Sequence, residues 1–413
     1  MTHARPMRVS STIGVTSAKG FRAGAAAAGI KKKKGALDLA VLVCDTEASA
    51  AAVFTTNRVT GAPVQVSRRH LSARQTMRAV VASSGNSNVC TGPRGLADAE
   101  EMTRLVAEGI GCEVEAVLVA STGVIGRFLP MDKVRAGVPK ALAALGRGRK
   151  AGAALAHAIL TTDTRPKQAG ARVRIAGRTV TIGGATKGVG MIEPHMATTL
   201  AFLTTDAAVA HSLLQAMLRR AADATYNCLT VDGHQSTSDT MVLLASGEAM
   251  RGLELLADGS AEAAQFEAAL LAVCESLARQ IVADAEGGTK VIEIRVTGGA
   301  SAEEAARAAR AIANSPLVKC AFFGEDPNWG RITSAAGGAG ISSGPESMRL
   351  SIGGVRIFER GTPVEANAAR LRRVMKARDI LVHLDLGAGT GEARVLTCDL
   401  SYEYVKINAS YTT

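Results

Sequence analysis

The 413-residue chain predicts an α/β or α+β fold built on large sheets. Three observations carry that prediction. Short apolar runs of strand length alternate with stretches of helical spacing along the chain. The composition is globular, 47% apolar and 21% charged, which excludes collagen, disordered chain and a small disulfide scaffold. Glycine is abundant (43 residues) and aromatics are scarce (3%), so the core must be built mainly from Ala, Val, Leu and Ile. The apolar content suffices for one large domain or two ordinary ones.

The elements follow in order. Residues 39–44, 79–82 and 116–120 read as strands, with helical spacing over 96–110 and 133–145. Residues 172–182 read as a hairpin with Ala176-Gly177 at the turn. Phe266, Leu270, Cys274, Leu277 and Ile281 recur on one helical face, and Gly287 lies just past its end. Another helix opens at Ser301, with Glu304 three residues on as a capping box. Residues 291–296, 317–323, 348–352, 380–386 and 394–400 read as strands, and the Gly-rich stretch 335–344 reads as a loop. There is no repeat and no disordered linker.

Composition also bounds function. No stretch reaches the roughly 18 unbroken apolar residues of a membrane helix, and residues 10–18 form no signal-peptide core. A soluble, cytoplasmic protein is expected. The seven cysteines (44, 90, 112, 228, 274, 320 and 398) have no CxxC spacing, so they read as reduced thiols buried as small hydrophobes. The seven histidines show no HExxH and no i,i+4 pair, so no structural metal is expected. The net charge is +11, but residues 1–197 hold 28 Lys/Arg against 12 Asp/Glu, whereas residues 198–413 hold 20 against 25. Lys31–Lys34 form one run that reads as a solvated loop. Without interleaved aromatics the basic half does not read as a nucleic-acid surface; a field attracting carboxylate substrates fits as well.

Several familiar signals fail. There is no GxxxxGK[ST], and Gly188-Val189-Gly190 lacks the third glycine and acidic partner of a dinucleotide fingerprint. Gly340-Ile341-Ser342-Ser343-Gly344 satisfies GxSxG, but Pro345 follows and no apolar strand precedes, so it reads as a loop. A stronger signal is a set of hydroxyl–glycine segments: residues 121–126, 161–164 and 187–192, the last leading into 196–200. Glycine lets backbone N–H groups approach a ligand closely, as oxyanion holes require. Each segment alone is also ordinary β-structure; several with one lysine make a better case for a site.

Lys187-Gly188-Val189-Gly190-Met191-Ile192-Glu193-Pro194-His195-Met196-Ala197-Thr198 resembles the signature of the ornithine acetyltransferase (ArgJ) family, the glutamate N-acetyltransferases of arginine biosynthesis. Segments 14–24, 54–59, 84–92, 324–331 and 405–413 match it too, in the same order, so the resemblance runs from about Gly14 to the last residue. It implies a two-domain layered αβ architecture, and self-cleavage between Ala197 and Thr198 into an α chain (1–197) and a β chain (198–413). Two of each would form a heterotetramer.

The implied chemistry is physically sensible. A threonine hydroxyl is a weak nucleophile, but cleavage would give Thr198 a free α-amine with a pKa of about 7.7–8.0, able to take the proton of its own hydroxyl. By the resemblance, Thr198 accepts the acetyl group of N-acetylornithine as an ester and passes it to glutamate. Thr122 and Gly123 would form the oxyanion hole. Thr161, Lys187, Glu286, Asn408 and Thr413 match substrate-contacting positions. Lys187 suits a carboxylate and Glu286 an ammonium group. No cofactor is implied; acetyl-CoA is a second substrate in bifunctional members. The chain departs from the pattern at Val189, His195, Thr199, His234 and Ser238, which bears on substrate range and cleavage rate rather than reaction class. One rival reading is an N-terminal-nucleophile aminopeptidase or amidase, with water as acceptor. The other is a non-enzymatic basic binding protein.

Overall fold

The computed structural model describes residues 7–193 and 199–410. The first half contains β1 (Val9–Ser10), β2 (Phe21–Ala26), β3 (Leu39–Phe54), α1 (Ala62–Ala73), β4 (Thr76–Asn86), α2 (Gly92–Ile110), β5 (Val117–Val124), α3 (Met131–Ala143), α4 (Arg149–Ala158), β6 (Lys167–Ile175) and β7 (Arg178–Lys187). After the undescribed residues come β8 (Leu200–Thr205), α5 (His211–Ala224), β9 (Thr240–Ala245), α6 (Ala261–Val282), β10 (Val291–Gly299), α7 (Ala302–Asn314), α8 (Pro316–Phe323) and α9 (Trp329–Gly337). The chain continues through β11 (Arg349–Ile352), β12 (Val355–Glu359), β13 (Thr362–Pro363), α10 (Ala368–Lys376), β14 (Asp379–Asp385), β15 (Gly391–Cys398) and α11 (Tyr402–Ser410).

Among the described residues, nine strands form one sheet in the order β1-β6-β7-β8-β9-β3-β4-β5, with β2 added on β3. β3 is the spine: its first residues pair with β2 and β4, its last with β9, and its register with β4 breaks between Val43 and Ala48. The two wings share one inner core, in which Leu42, Val80 and Leu118 meet Phe202 and Val242. Outside one wing, α2 and α3 cover Val41, Val81 and Val119 through Met102, Val106 and Val134. Outside the other, α5 and α6 cover Leu203 and Leu243 through Leu214, Leu218 and Phe266. The result is helix, sheet, sheet, helix. A six-stranded sheet, β13-β12-β11-β14-β10-β15, has its own core with α7. The second half of the sequence is not confined to this smaller sheet: β8 and β9 sit inside the first one, between β7 and β3.

Most expected elements are present. The hairpin β6–β7 turns at Ala176 and Gly177, both at positive φ (47° and 75°), as a two-residue turn of that hand requires. Ser301 accepts the Glu304 amide, while the Glu304 carboxylate caps the Ala300 and Ser342 amides. Other expectations are corrected. Residues 317–323 form α8, not a strand: Ser315 accepts the Val318 amide and Pro316 opens the helix, and these start signals outweigh a short apolar run. Residues 335–337 close α9, so the Gly-rich loop begins at Gly338. Lys32–Lys34 are solvated, but Lys31 is half-buried, with Nζ donating to the Leu37 carbonyl at 2.8 Å. All seven cysteines are free, but only Cys44, Cys274 and Cys398 are buried as expected; Cys112 and Cys228 are half-buried, and Cys90 and Cys320 are exposed.

Candidate active site

The C-terminal ends of β5 and β7 open into a cleft of about 240 Å³. Thr122, Gly123, Thr161, Lys187, Glu286 and Asn408 all line it, though they come from five separate parts of the chain. Thr162, Gly190, Met191, Asp232, His234 and Tyr404 complete the walls.

β5 supplies Thr122 and Gly123 where its parallel pairing with β4 becomes irregular. Gly123 sits at φ +132°, and a Cβ there would stand 2.4 Å from the Gly85 carbonyl carbon. Only glycine lets the two strands close up at this point. Lys187, at the end of β7, is 3% exposed and donates from Nζ to Thr122 Oγ1 at 3.2 Å. An ammonium group only donates, so Thr122 accepts and its own O–H proton is left for the cleft. Burial lowers the Lys187 pKa, and the nearby Asp163, Asp239 and Glu286 carboxylates oppose that.

Asp163 holds this wall in place. Its Oδ1 accepts from Lys167 Nζ at 2.6 Å and from the Gly188 amide at 2.9 Å, and Oδ2 accepts the Thr161 amide at 3.0 Å. Burial opposes its charge, yet Lys187 and Lys167 hold its carboxyl down at about 2. Lys167 also reaches Asp284 at 2.6 Å, and Thr164 caps the same carboxylate. The loop 161–164 is thereby fastened to both β7 and the end of α6.

Glu286 lies beyond α6, before Gly287 at φ +69°. Its amide donates to the Val189 carbonyl at 2.9 Å. Its carboxylate accepts from Thr162 Oγ1 at 2.6 Å and from Asn408 Nδ2 at 3.0 Å. A Cβ on Gly190 would stand 2.6 Å from Glu286 Oε2, so that glycine makes room for the carboxylate. Asp232 accepts the Met191 and Ile192 amides at 2.6 and 2.9 Å and holds Met191 at φ +55°, an uncommon conformation for a side-chain-bearing residue. Burial pushes the Asp232 carboxyl up, and the Tyr404 hydroxyl donates to it at 3.4 Å.

Ala197, Thr198, His195 and Thr413 lie outside the described residues. The description resumes at Thr199, whose amide donates to Asp239 Oδ1 at 2.6 Å and whose carbonyl accepts the Thr240 amide at 3.0 Å. The departing positions separate here: Val189 is buried behind the cleft, whereas His234 is exposed at its rim. Sequence reasoning does not reach Asp163, Asp232, Asp239 or Tyr404 as parts of the site. Asp163 stands inside one of the hydroxyl-rich segments, and that is the signal that points to it. Among the described residues, no group of three His, Cys, Asp or Glu could hold a metal ion. No helix among them is long and apolar enough to cross a membrane.

Known proteins resemble this chain over nearly its whole length. The model of the ArgJ family matches residues 22–413. An "Arginine biosynthesis bifunctional protein ArgJ" of Symbiobacterium thermophilum is 48% identical over 97% of this chain and 98% of its own. A protein of the same name from Geobacter sulfurreducens is 48% identical over 96% and 99%. A crystal structure of ornithine acetyltransferase with ornithine, from Mycobacterium tuberculosis, is 38% identical over 47% of this chain and 100% of that one, with a TM-score of 0.43. The length of the family match and the near-half identity across whole chains lead to one conclusion: this chain belongs to the ArgJ family.

Proposed function

We propose that this chain is a self-processing acetyltransferase of arginine biosynthesis. It moves the acetyl group from N2-acetyl-L-ornithine to L-glutamate through an ester on Thr198. Family membership supports the reaction class. The observation that carries the site is the convergence of Thr122, Gly123, Thr161, Lys187, Glu286 and Asn408 on one cleft beside the head of β8. The bifunctional relatives support acetyl-CoA as a second acetyl donor for making N-acetylglutamate, as a substrate and not a bound cofactor.

In this reading the Ala197–Thr198 bond is cut first, giving chains 1–197 and 198–413. Thr198 Oγ attacks the Ala197 carbonyl, the Ala197–Thr198 C–N bond breaks to leave an ester and a free α-amine, and water then hydrolyses the ester, releasing the Ala197 carboxylate and restoring the hydroxyl. The same hydroxyl then attacks the acetyl carbon while the α-amine takes its proton. Thr122 O–H, held by Lys187, and the Gly123 backbone face the oxyanion. Glu286 receives the substrate ammonium group, with Thr161, Asn408 and Thr413 completing the substrate contacts. Two α and two β chains assemble in a cytoplasmic enzyme that uses no metal and binds no nucleic acid or membrane.

The acceptor separates this reading from the hydrolase rival. N-acetylornithine should disappear only when glutamate is present, with N-acetylglutamate formed one for one. Loss of N-acetylornithine at the same rate without glutamate, releasing acetate, would make the protein an amidase.

A further inference from the structure

The transfer proposed above asks one cleft to hold two amino acids of opposite side-chain charge. N-acetylornithine and glutamate both react at the α-nitrogen and share an α-carboxylate. The side chain of the first ends in an ammonium group, that of the second in a carboxylate. With the reacting atoms superposed beside Thr122 and Gly123, both side chains must reach the same far wall.

That wall suits a cation. Glu286 Oε1 accepts from Thr162 Oγ1 at 2.6 Å and Oε2 from Asn408 Nδ2 at 3.0 Å, so neutral groups support its charge without cancelling it. Asn408 Nδ2 also donates to the Tyr404 carbonyl at 3.0 Å, and the Tyr404 hydroxyl donates to Asp232 at 3.4 Å. Burial raises the Asp232 carboxyl and the Glu286 charge adds to that, against the Met191, Ile192 and His234 amides. An ammonium group is attracted to this wall; a carboxylate is repelled unless a donor offsets it.

Of the described side chains that line the cleft, Lys187 and His234 are those able to carry a positive charge. Lys187 is enclosed against Thr122, at the oxyanion end. His234 is exposed at the rim, on the Asp232 side. Its loop is fastened on both flanks. The His234 amide donates to Asp232 Oδ1 at 3.3 Å, the Gln235 carbonyl accepts from Asn57 Nδ2 at 3.1 Å, and the Ser236 carbonyl accepts from Thr55 Oγ1 at 2.6 Å. Gly233, at φ +70°, makes the turn between them. The backbone is fixed, and the ring is left at the cleft mouth. An imidazole keeps a ring N–H donor when neutral and gains a second when charged, so either form can serve a carboxylate.

We infer that His234 is a specificity-determining residue that receives the side-chain carboxylate of glutamate, while Glu286 receives the side-chain ammonium group of N-acetylornithine. The inference deepens the proposed transfer and rests on it. The two substrates occupy the cleft in turn, so each meets the wall group of opposite character. His234 is one of the positions at which the chain departs from the family pattern, and here it sets the balance between acetyl donor and acetyl acceptor.

Steady-state kinetics on His234→Ala, His234→Asp and His234→Lys test this, with N-acetylornithine and glutamate varied separately. In a transfer through an acetyl-enzyme, kcat/KM for each substrate reports its own half of the reaction. The ratio of kcat/KM for glutamate to that for N-acetylornithine should fall about fivefold in His234→Ala, a step of the size an exposed charge pair supplies. It should fall further in His234→Asp, where a like charge meets the carboxylate. His234→Lys keeps a cation and should hold the ratio within about twofold of wild type. The ring is exposed, so none of the three substitutions should disturb folding. An unchanged ratio in His234→Ala and His234→Asp, or an equal fall in the Ala and Lys variants, would overturn the inference. A wild-type enzyme that consumes N-acetylornithine equally fast without glutamate would instead overturn the proposed function beneath it.

Discussion

At the scale of single residues, the cleft works through groups whose charges are arranged in the interior. Asp163 and Lys167 are both fully enclosed, and neither can lose its partner cheaply. Asp163→Asn should cost about 3–5 kcal/mol of stability in a urea titration, because Lys167 and Lys187 would be left with one carboxylate fewer. The pH dependence has a definite sign. The Asp163 carboxyl is lowered from 3.8 to about 2 by folding, so its contribution is complete above the higher value and lost as pH falls toward the lower one. The gap in stability between wild type and Asp163→Asn should therefore narrow between those two values and stay constant above them. Thr122 and Gly123 need different tests. Gly123→Ala forces a Cβ into the Gly85 and Asn86 backbone, so it should lower both melting temperature and turnover. Thr122→Val is nearly isosteric, and should lose about 10²-fold in kcat with its melting temperature nearly unchanged. Near-normal kcat in that variant would remove the hydroxyl from the oxyanion site.

At the scale of elements, legibility followed the local signal. α6 repeats its apolar face over six turns, and the β6–β7 hairpin carries its turn residues, so both are plain in the sequence. β8 and β9 are buried on both faces; a continuous apolar run has no period to reveal it. α8 has the same ambiguity, settled by Ser315 and Pro316. The site shows the same division. Its glycine- and threonine-rich segments are readable as motifs, and the family pattern names their members. Its supporting carboxylates, Asp163 apart, are not readable. Asp284 serves Thr164 across 120 positions, and Asp232 serves Met191 across 41. α11 shows how an element without a buried residue can still matter. It places Tyr404 and Asn408 on the cleft, and its start packs on Gly287, where a Cβ would stand 2.4 Å from the Tyr404 amide. Gly287→Ala should displace α11 and raise KM for N-acetylornithine at least about tenfold, with a smaller effect on kcat. Steady-state kinetics would show it; an unchanged KM would separate α11 from substrate binding.

At the scale of the whole molecule, the proposed cut falls inside a sheet rather than between domains. β8 pairs with β7 across six residues, and β9 pairs with β3 across six more. Two of the three cores of the nine-stranded sheet draw on residues from either side of position 197. The cut chains should therefore elute together in native gel filtration, also at high salt, where their opposite net charges are screened. Separation at high salt would mean that charge, not the shared sheet, holds them. The central claim is that Thr198 is the nucleophile of both cleavage and transfer, and one experiment addresses it. Intact-mass spectrometry is run on wild type, Thr198→Ala, Thr198→Ser and Thr199→Ala after incubation with N-acetylornithine alone. Wild type and Thr199→Ala should give two chains, the second starting at residue 198 and carrying one acetyl group in the wild type. Thr198→Ser should cut slowly, and Thr198→Ala should remain a single unacetylated chain. An acetyl group on the chain that starts at Met1, or a Thr198→Ala protein that still cuts and turns over, would contradict the account.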